Sequence, residues 1–134
     1  MAFNIEASFD ILPKALEVHE RRAEIIANNL ANQDSPGFKA QDLDFKETLQ
    51  AITQQLDVEK RLKLSNQAHI SNAHQLALEY VKYRNAIQPS LDGNTVDGQI
   101  EQSEFAENTM RYLANLNFLN GKIQGLMLAI RGAK

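Results

Sequence analysis

The sequence predicts an all-α fold: two long terminal helices pairing in a coiled-coil-like layer, with a partly irregular or extended middle segment that orders on assembly. Three observations lead there. Apolar residues concentrate before Leu30 and after Phe105. Each concentration repeats at alternating steps of three and four residues, which holds it on one stripe of a helix. Between them lies a polar stretch broken by Pro and Gly. The chain accordingly divides into an N-terminal helix (1–32), a middle of turn, extended segment and short helices (33–94), and a C-terminal helix (95–134).

The first stripe runs through Phe9, Leu12, Leu16, His19, Ala23, Ile26 and Leu30. Asp10 is placed to cap this helix, and Pro13 then falls in its first turn, where a missing N–H breaks no intrahelical bond. The helix should begin near Ile11 and end near Asn32, because Ser35-Pro36-Gly37 follows: Pro disfavours a helical residue before it, and Pro-Gly suits the centre of a type II turn. Beyond the turn, Phe38, Leu43 and Phe45 stand among Lys39, Asp42 and Asp44 without helical period. They read as an extended segment laid across a partner.

Lys46 to Gln75 is rich in Gln and Asn and holds too few apolar residues to build a core alone. Leu49, Ile52 and Leu56 permit a short amphipathic helix, and Leu76 to Ala86 a further one. Pro89 to Asn94 breaks the chain, after which Thr95 or Asp97 can cap the last helix. Glu101, Glu104 and Glu107 near its start and Arg131 and Lys134 near its end match the polarity of the helix dipole.

Along that last helix Phe105, Thr109, Tyr112, Leu116, Leu119, Ile123, Leu126 and Ile130 step by four and three. At 1.5 Å per residue each terminal stripe spans roughly 30 to 40 Å, long enough for the two helices to lie side by side. A second strip, Ala114, Asn117, Gly121, Gly125 and Leu128, runs on the opposite face. Two glycines four apart, each costing about 1 kcal/mol in a helix interior, imply that something approaches closely there. A helix apolar on both sides is buried on both sides, so one intramolecular partner is too few. Head-to-tail repetition of such a contact builds a filament if the rotation does not close.

Several chemistries fail on the residues. The net charge of −3 comes without any Lys/Arg cluster, which argues against nucleic acid. Zero cysteines exclude disulfides and thiolate sites. Met1 to Asp10 lacks a basic n-region before an apolar run, so it does not read as a cleaved signal, and Met110 to Ile130 is too polar for a membrane span. His69 and His74 are five apart rather than four, and His19 on the stripe reads as a packed histidine. Gly121-Lys122 lacks the rest of a phosphate loop, since Leu116 and Ile123 occupy the motif's first Gly and its hydroxyl position. Asp92-Gly93-Asn94 lacks the rest of a calcium loop. Asp42 with Asp44, and Glu101 with Glu104, read as solvated faces and helix-start charges. No cofactor, metal or small-molecule substrate is expected, and no enzymatic activity.

Ala27-Asn28-Asn29-Leu30-Ala31-Asn32, continuing as Gln33-Asp34-Ser35-Pro36-Gly37-Phe38-Lys39, closely resembles the N-terminal signature of the flagellar rod and hook proteins, an ANN(L/I)AN stretch followed by a TPG(Y/F)K-like turn. Gln88 to Asp97, followed by Phe105-Ala106-Glu107-Asn108, is similar to the proximal rod members of that family, with Gly98 standing where a larger apolar residue is usual. The likeness covers residues 10–45 and 80–130. It implies a structural subunit of the periplasmic rod of the bacterial flagellar basal body, exported by the flagellar type III apparatus without a cleaved signal, transmitting torque and lining the export channel. The partners it implies are copies of the chain, other rod proteins, a FliE-like junction protein and the export gate. A soluble helical adaptor or secretion chaperone, using the same stripes to bind a partner, is the alternative from another class.

Overall fold

The structure, a computed structural model, describes residues 11–61, 80–85 and 90–132. Its elements in chain order are α1 (Leu12–Ala31), β1 (Gln41–Leu43), α2 (Phe45–Arg61), β2 (Val81–Tyr83) and α3 (Gly98–Arg131). Asp10, Phe9, His69, His74 and Lys134 lie outside the described residues, as do residues 76–79 and 86 of the expected helix over Leu76 to Ala86.

Helix α1 begins with Ile11 at its N-cap and no side-chain cap, with Pro13 in the first turn. It ends through backbone bonds from Asn32 N–H to Asn29 and from Gln33 N–H to Leu30. The Ser35–Phe38 turn follows, closed by Phe38 N–H on the Ser35 carbonyl at 3.3 Å. Gly37 sits at φ +72°, the left-handed position that a type II turn demands of its third residue. A second turn, Ser90–Gly93, is closed by Gly93 N–H on Ser90, with Gly93 at φ +78°. The two turns lie back to back, with Gly37 N–H donating to the Asp92 carbonyl at 2.9 Å.

Asn94 ties these turns to the end of α1. Its buried amide nitrogen lies 2.8–3.0 Å from the carbonyls of Asn32, Gln33 and Ser35, just past the end of the helix. Its Oδ1 accepts from Val96 N–H, and Asp97 then caps α3 by accepting from Gln99 and Ile100 N–H.

Helix α3 runs antiparallel to α1. Glu101 meets Asn29, Glu104 meets Arg22 and Asn108 meets His19, so each of these steps up α3 is a step back down α1. An adjoining row of α1 carries the apolar core: Val18 and Ile25 pack with Leu43 and Ile52, covered by Phe45, Tyr80 and Val81. The stripe expected on α1 is therefore one of two adjoining buried rows, one toward α3 and one toward the strands and α2.

The fold is mostly helical, with long helices toward both ends as expected, and adds one short ladder in which β1 pairs antiparallel with β2 in the register Gln41 with Tyr83, Asp42 with Lys82 and Leu43 with Val81. Two expectations are corrected. The described part of the expected Leu76–Ala86 helix, residues 80–85, contains strand β2 in place of helix, since β-branched Val81 and aromatic Tyr83 find a ladder on β1 that no local propensity reveals. Phe45 belongs to α2, not to the extended segment: Asp44 accepts from Glu47 N–H and caps the helix there. Leu43 does lie in extended backbone, but it packs on α1 of its own chain.

Asn94→Ala should leave those carbonyls at the end of α1 partly unsatisfied and cost about 1–3 kcal/mol. Urea unfolding followed by circular dichroism would measure the loss.

Candidate assembly site

At the meeting of α1, α3 and the two strands lies a cluster of charged and amide side chains. Arg22 of α1 grips Asp42 of β1 with both ends of its guanidinium, at 3.0 and 3.1 Å, and also reaches Glu104 of α3 at 2.7 Å. Arg84, just past β2, donates to Asp42 at 2.9 Å and to Glu101 at 2.7 Å. The two cations thus stitch three carboxylates from two elements, Asp42 of β1 and Glu101 and Glu104 of α3. Glu101, 1% exposed, was expected on a solvated helix start and is instead sealed in. Asp42 is likewise tied into the interior and not free in solvent.

Asn29, fully buried, locks this junction to the main chain. Its Nδ2 donates to the Gln41 carbonyl at 2.7 Å and to Glu101 at 3.1 Å, while its Oδ1 accepts from Gln41 N–H at 3.0 Å. This gives the second Asn of the Ala27–Asn32 motif its physical role: it docks β1 as another strand would. Asn28 is exposed, and its carbonyl accepts from the Asn32 side chain. Ala27 and Ala31 are exposed beside it, and Pro36 and Gly37 form the turn.

The ionisation states follow from the surroundings. Burial lifts the Glu101 carboxyl above its ordinary value, against the pull of Asn29 and Arg84. Burial also pushes Asp42 upward, but the bonds and charge of Arg22 outweigh it and hold Asp42 below the usual range. Arg22 is correspondingly held as a cation by Asp42.

His19 forms a second polar tie. Asn108 Nδ2 donates to the His19 carbonyl at 2.9 Å, which turns Asn108 Oδ1 toward the ring. In the 2.8 Å contact between them His19 Nδ1 is then the donor. The ring stacks on Phe45 with centroids 4.4 Å apart. Desolvation lowers the pKa of this histidine from 6.5, with Arg111 and Arg22 acting in the same sense against Asn108.

The expected stripe residues differ in placement. Ile26 is buried with His19, and Leu12, Leu16, Ala23 and Leu30 are half-buried. On α3, Tyr112, Leu116, Leu119, Ile123 and Leu126 are half-buried, while Ile130 is 75% exposed. Ala114, Gly121 and Gly125 are exposed, and a Cβ added at either glycine would meet nothing within 4 Å. Around them Met110, Leu113, Phe118 and Leu128 stand 50–68% exposed. Among the described residues no cluster of three or more acidic or His side chains is arranged to hold a metal ion, and no helix is long and apolar enough to cross a membrane.

Arg22 and Arg84 were missed from sequence. Arg22 had a readable signal: it lies four residues after Val18 and three before Ile25, in the middle of a buried row, where a charge requires a partner. Arg84 had none, because only the strand pairing brings it to Glu101.

Arg84→Met should leave Glu101 buried without its cation and cost roughly 3–5 kcal/mol, whereas adding Glu101→Met should recover much of that loss. Chemical denaturation of both single variants and the double variant reads the coupling. Since folding depresses the His19 pKa, the unfolded chain binds more protons, and this part of the stability is lost as pH falls below 6.5 toward the folded value. A His19→Leu variant should lack that component, so the stability difference between wild type and variant should widen as pH rises toward neutrality and then level off.

The match to the family model described as flagella basal body rod protein covers residues 14–39, which is α1 with the Pro-Gly turn. Similarity to whole proteins extends much further. The chain is 40% identical over 133 residues to the flagellar basal body rod protein FlgB of Aeromonas hydrophila, covering 98% of both chains. It is 40% identical over 119 residues to that of Cereibacter sphaeroides, covering 89% of this chain and 90% of the relative. It is 36% identical over 131 residues to that of Escherichia coli K12, covering 95% of each. With likeness of this extent running from α1 through α3, the chain belongs to the FlgB family of flagellar basal body rod proteins.

Proposed function

We propose that this chain is a structural subunit of the proximal flagellar rod, built in through surfaces of its two terminal helices. The observation that carries the reading is the outer face of α3: large apolar side chains stand in water around a strip of Ala114, Gly121 and Gly125 that is open to close approach. Contiguous exposed apolar surface of this kind marks a place where another molecule packs. In a rod the neighbours are copies of the chain and related rod proteins, with a FliE-like junction protein and the export gate at the base.

On this reading residues 1–32 and 95–134 form the rod core and residues 33–94 stand outside it. Stripe residues Leu12 to Leu30 and Tyr112 to Ile130 pack helix on helix, and the ion-paired junction holds the outer segment in register while torque passes through the core. Export through the flagellar type III apparatus without a cleaved signal, and a place lining the channel, accord with family membership.

Complementation of a bacterium lacking its own relative of this chain tests the reading through swimming. Leu119→Asp, which puts an unpaired charge on the stripe, should cost several kcal/mol of packing and abolish motility. Gly121→Leu should impair swimming more than Lys122→Ala, and equal motility of the two would remove the close-approach argument. Full motility of the Leu119→Asp strain would count against the assembly role of the stripe.

A further inference from the structure

His19 is held by three helices at once. It belongs to α1, its ring stacks on Phe45 of α2 with centroids 4.4 Å apart, and its Nδ1 meets Asn108 Oδ1 of α3 at 2.8 Å. Only 4% of the residue reaches solvent. With Nδ1 as the donor to Asn108, Nε2 of the neutral ring carries no proton, so the next proton goes there. The closed contact can take it up only by burying a cation, and a buried charge without an opposite charge beside it is costly.

The groups around the ring do not supply that opposite charge. Arg22 on α1 and Arg111 on α3 both repel an imidazolium. Glu20 of α1 and Tyr112 of α3 line the same cavity as the ring, of about 160 Å3, but Tyr112 already donates to Glu20 at 3.3 Å. Glu104 of α3 accepts from Arg22 at 2.7 Å. At the start of α2 the acids Asp44 and Glu47 are engaged by Lys82. Among the described residues no carboxylate hydrogen-bonds the ring.

The other tie between α1 and α3 answers acid differently. Asp42 is held below the usual carboxylate range by Arg22, and it keeps both arginines paired as pH falls toward 5. At Glu101 burial favours the uncharged carboxyl, so a proton taken up there relieves a cost rather than imposing one. The antiparallel register sets this junction at Asn29 with Glu101, and His19 with Asn108 further along the pair. Lys14 on α1 and Asn117 on α3 lie further still from the junction.

From these two unlike ties we propose a proton-operated hinge: protonation of His19 parts α3 from α1 beyond Asn108, while the junction of Asn29, Glu101 and Arg84 stays closed and serves as the pivot. One proton drives the step, so the open population grows by at most about tenfold per pH unit as pH falls below 6.5. The step depends on the contact of α1 with α3 and not on incorporation into a rod, so it is tested on the isolated full-length chain.

Paired nitroxide labels read it, since the sequence contains no cysteine of its own. Lys14→Cys with Asn117→Cys reports beyond the histidine, and Asn28→Cys with Gln102→Cys reports at the junction. Distances are measured by pulsed electron resonance from about pH 7.5 down to about pH 5, above the ~4 at which ordinary carboxylates titrate. The outer pair should pass to longer distances as pH falls, and the junction pair should keep its distance. His19→Gln and His19→Leu, both neutral throughout, should hold the outer pair at its high-pH distance. An outer pair that stays put over the whole range, a shift that persists in both neutral variants, or movement of the two pairs together would each overturn the hinge.

Discussion

Glu101 is a carboxylate shut away from water, and the way it is satisfied ties α1, β1, the end of β2 and α3 to one another. Arg84 and Asn29 both bond it, Arg84 passes on to Asp42, and Asp42 to Arg22, which returns to α3 at Glu104. The loop of bonds visits α1, β1, the end of β2 and α3. Breaking such a network by removing one member leaves a stranded charge, which is why a buried ion pair specifies geometry more than it adds stability. Among the described residues the apolar core beside it comprises Val18, Ile25, Leu43 and Ile52, and apolar contact is non-directional, with little preference among neighbouring registers. Directional bonds from Asn29, Asn108 and Arg22 supply the register instead.

Helix α1 thus makes two kinds of contact. Val18 and Ile25 press on the strands and α2. Asn29, Arg22 and His19 meet α3 through amides, charges and a histidine. A subunit that must hold a fixed shape against twisting gains from the second arrangement, because a hydrogen bond resists sliding and an oily contact does so weakly. The outer face of α3, by contrast, is apolar and small-featured, suited to joints between subunits where shape and close approach decide fit.

What the sequence disclosed was what local chemistry governs. The end of α1, the Pro36-Gly37 turn, the Asp97 cap and the charge polarity of α3 all depend on residues within a few positions of one another, and all were readable. The pairing of β1 with β2 was not, since three-residue strands far apart in sequence carry almost no periodic signal, and their partnership rests on tertiary contact. The same blindness hid Arg84, which meets Glu101 only because the ladder delivers it, and made Glu101 look like an ordinary first-turn acid. The motif around Asn29 was noticed through family likeness, whereas its physical purpose needed the distances to Gln41.

That contact has one more implication. Asn29 reads only the amide and carbonyl of Gln41, so the strand is seated whatever side chain position 41 bears. The side chain at position 41 is therefore free to change while the attachment of β1 to α1 is left undisturbed.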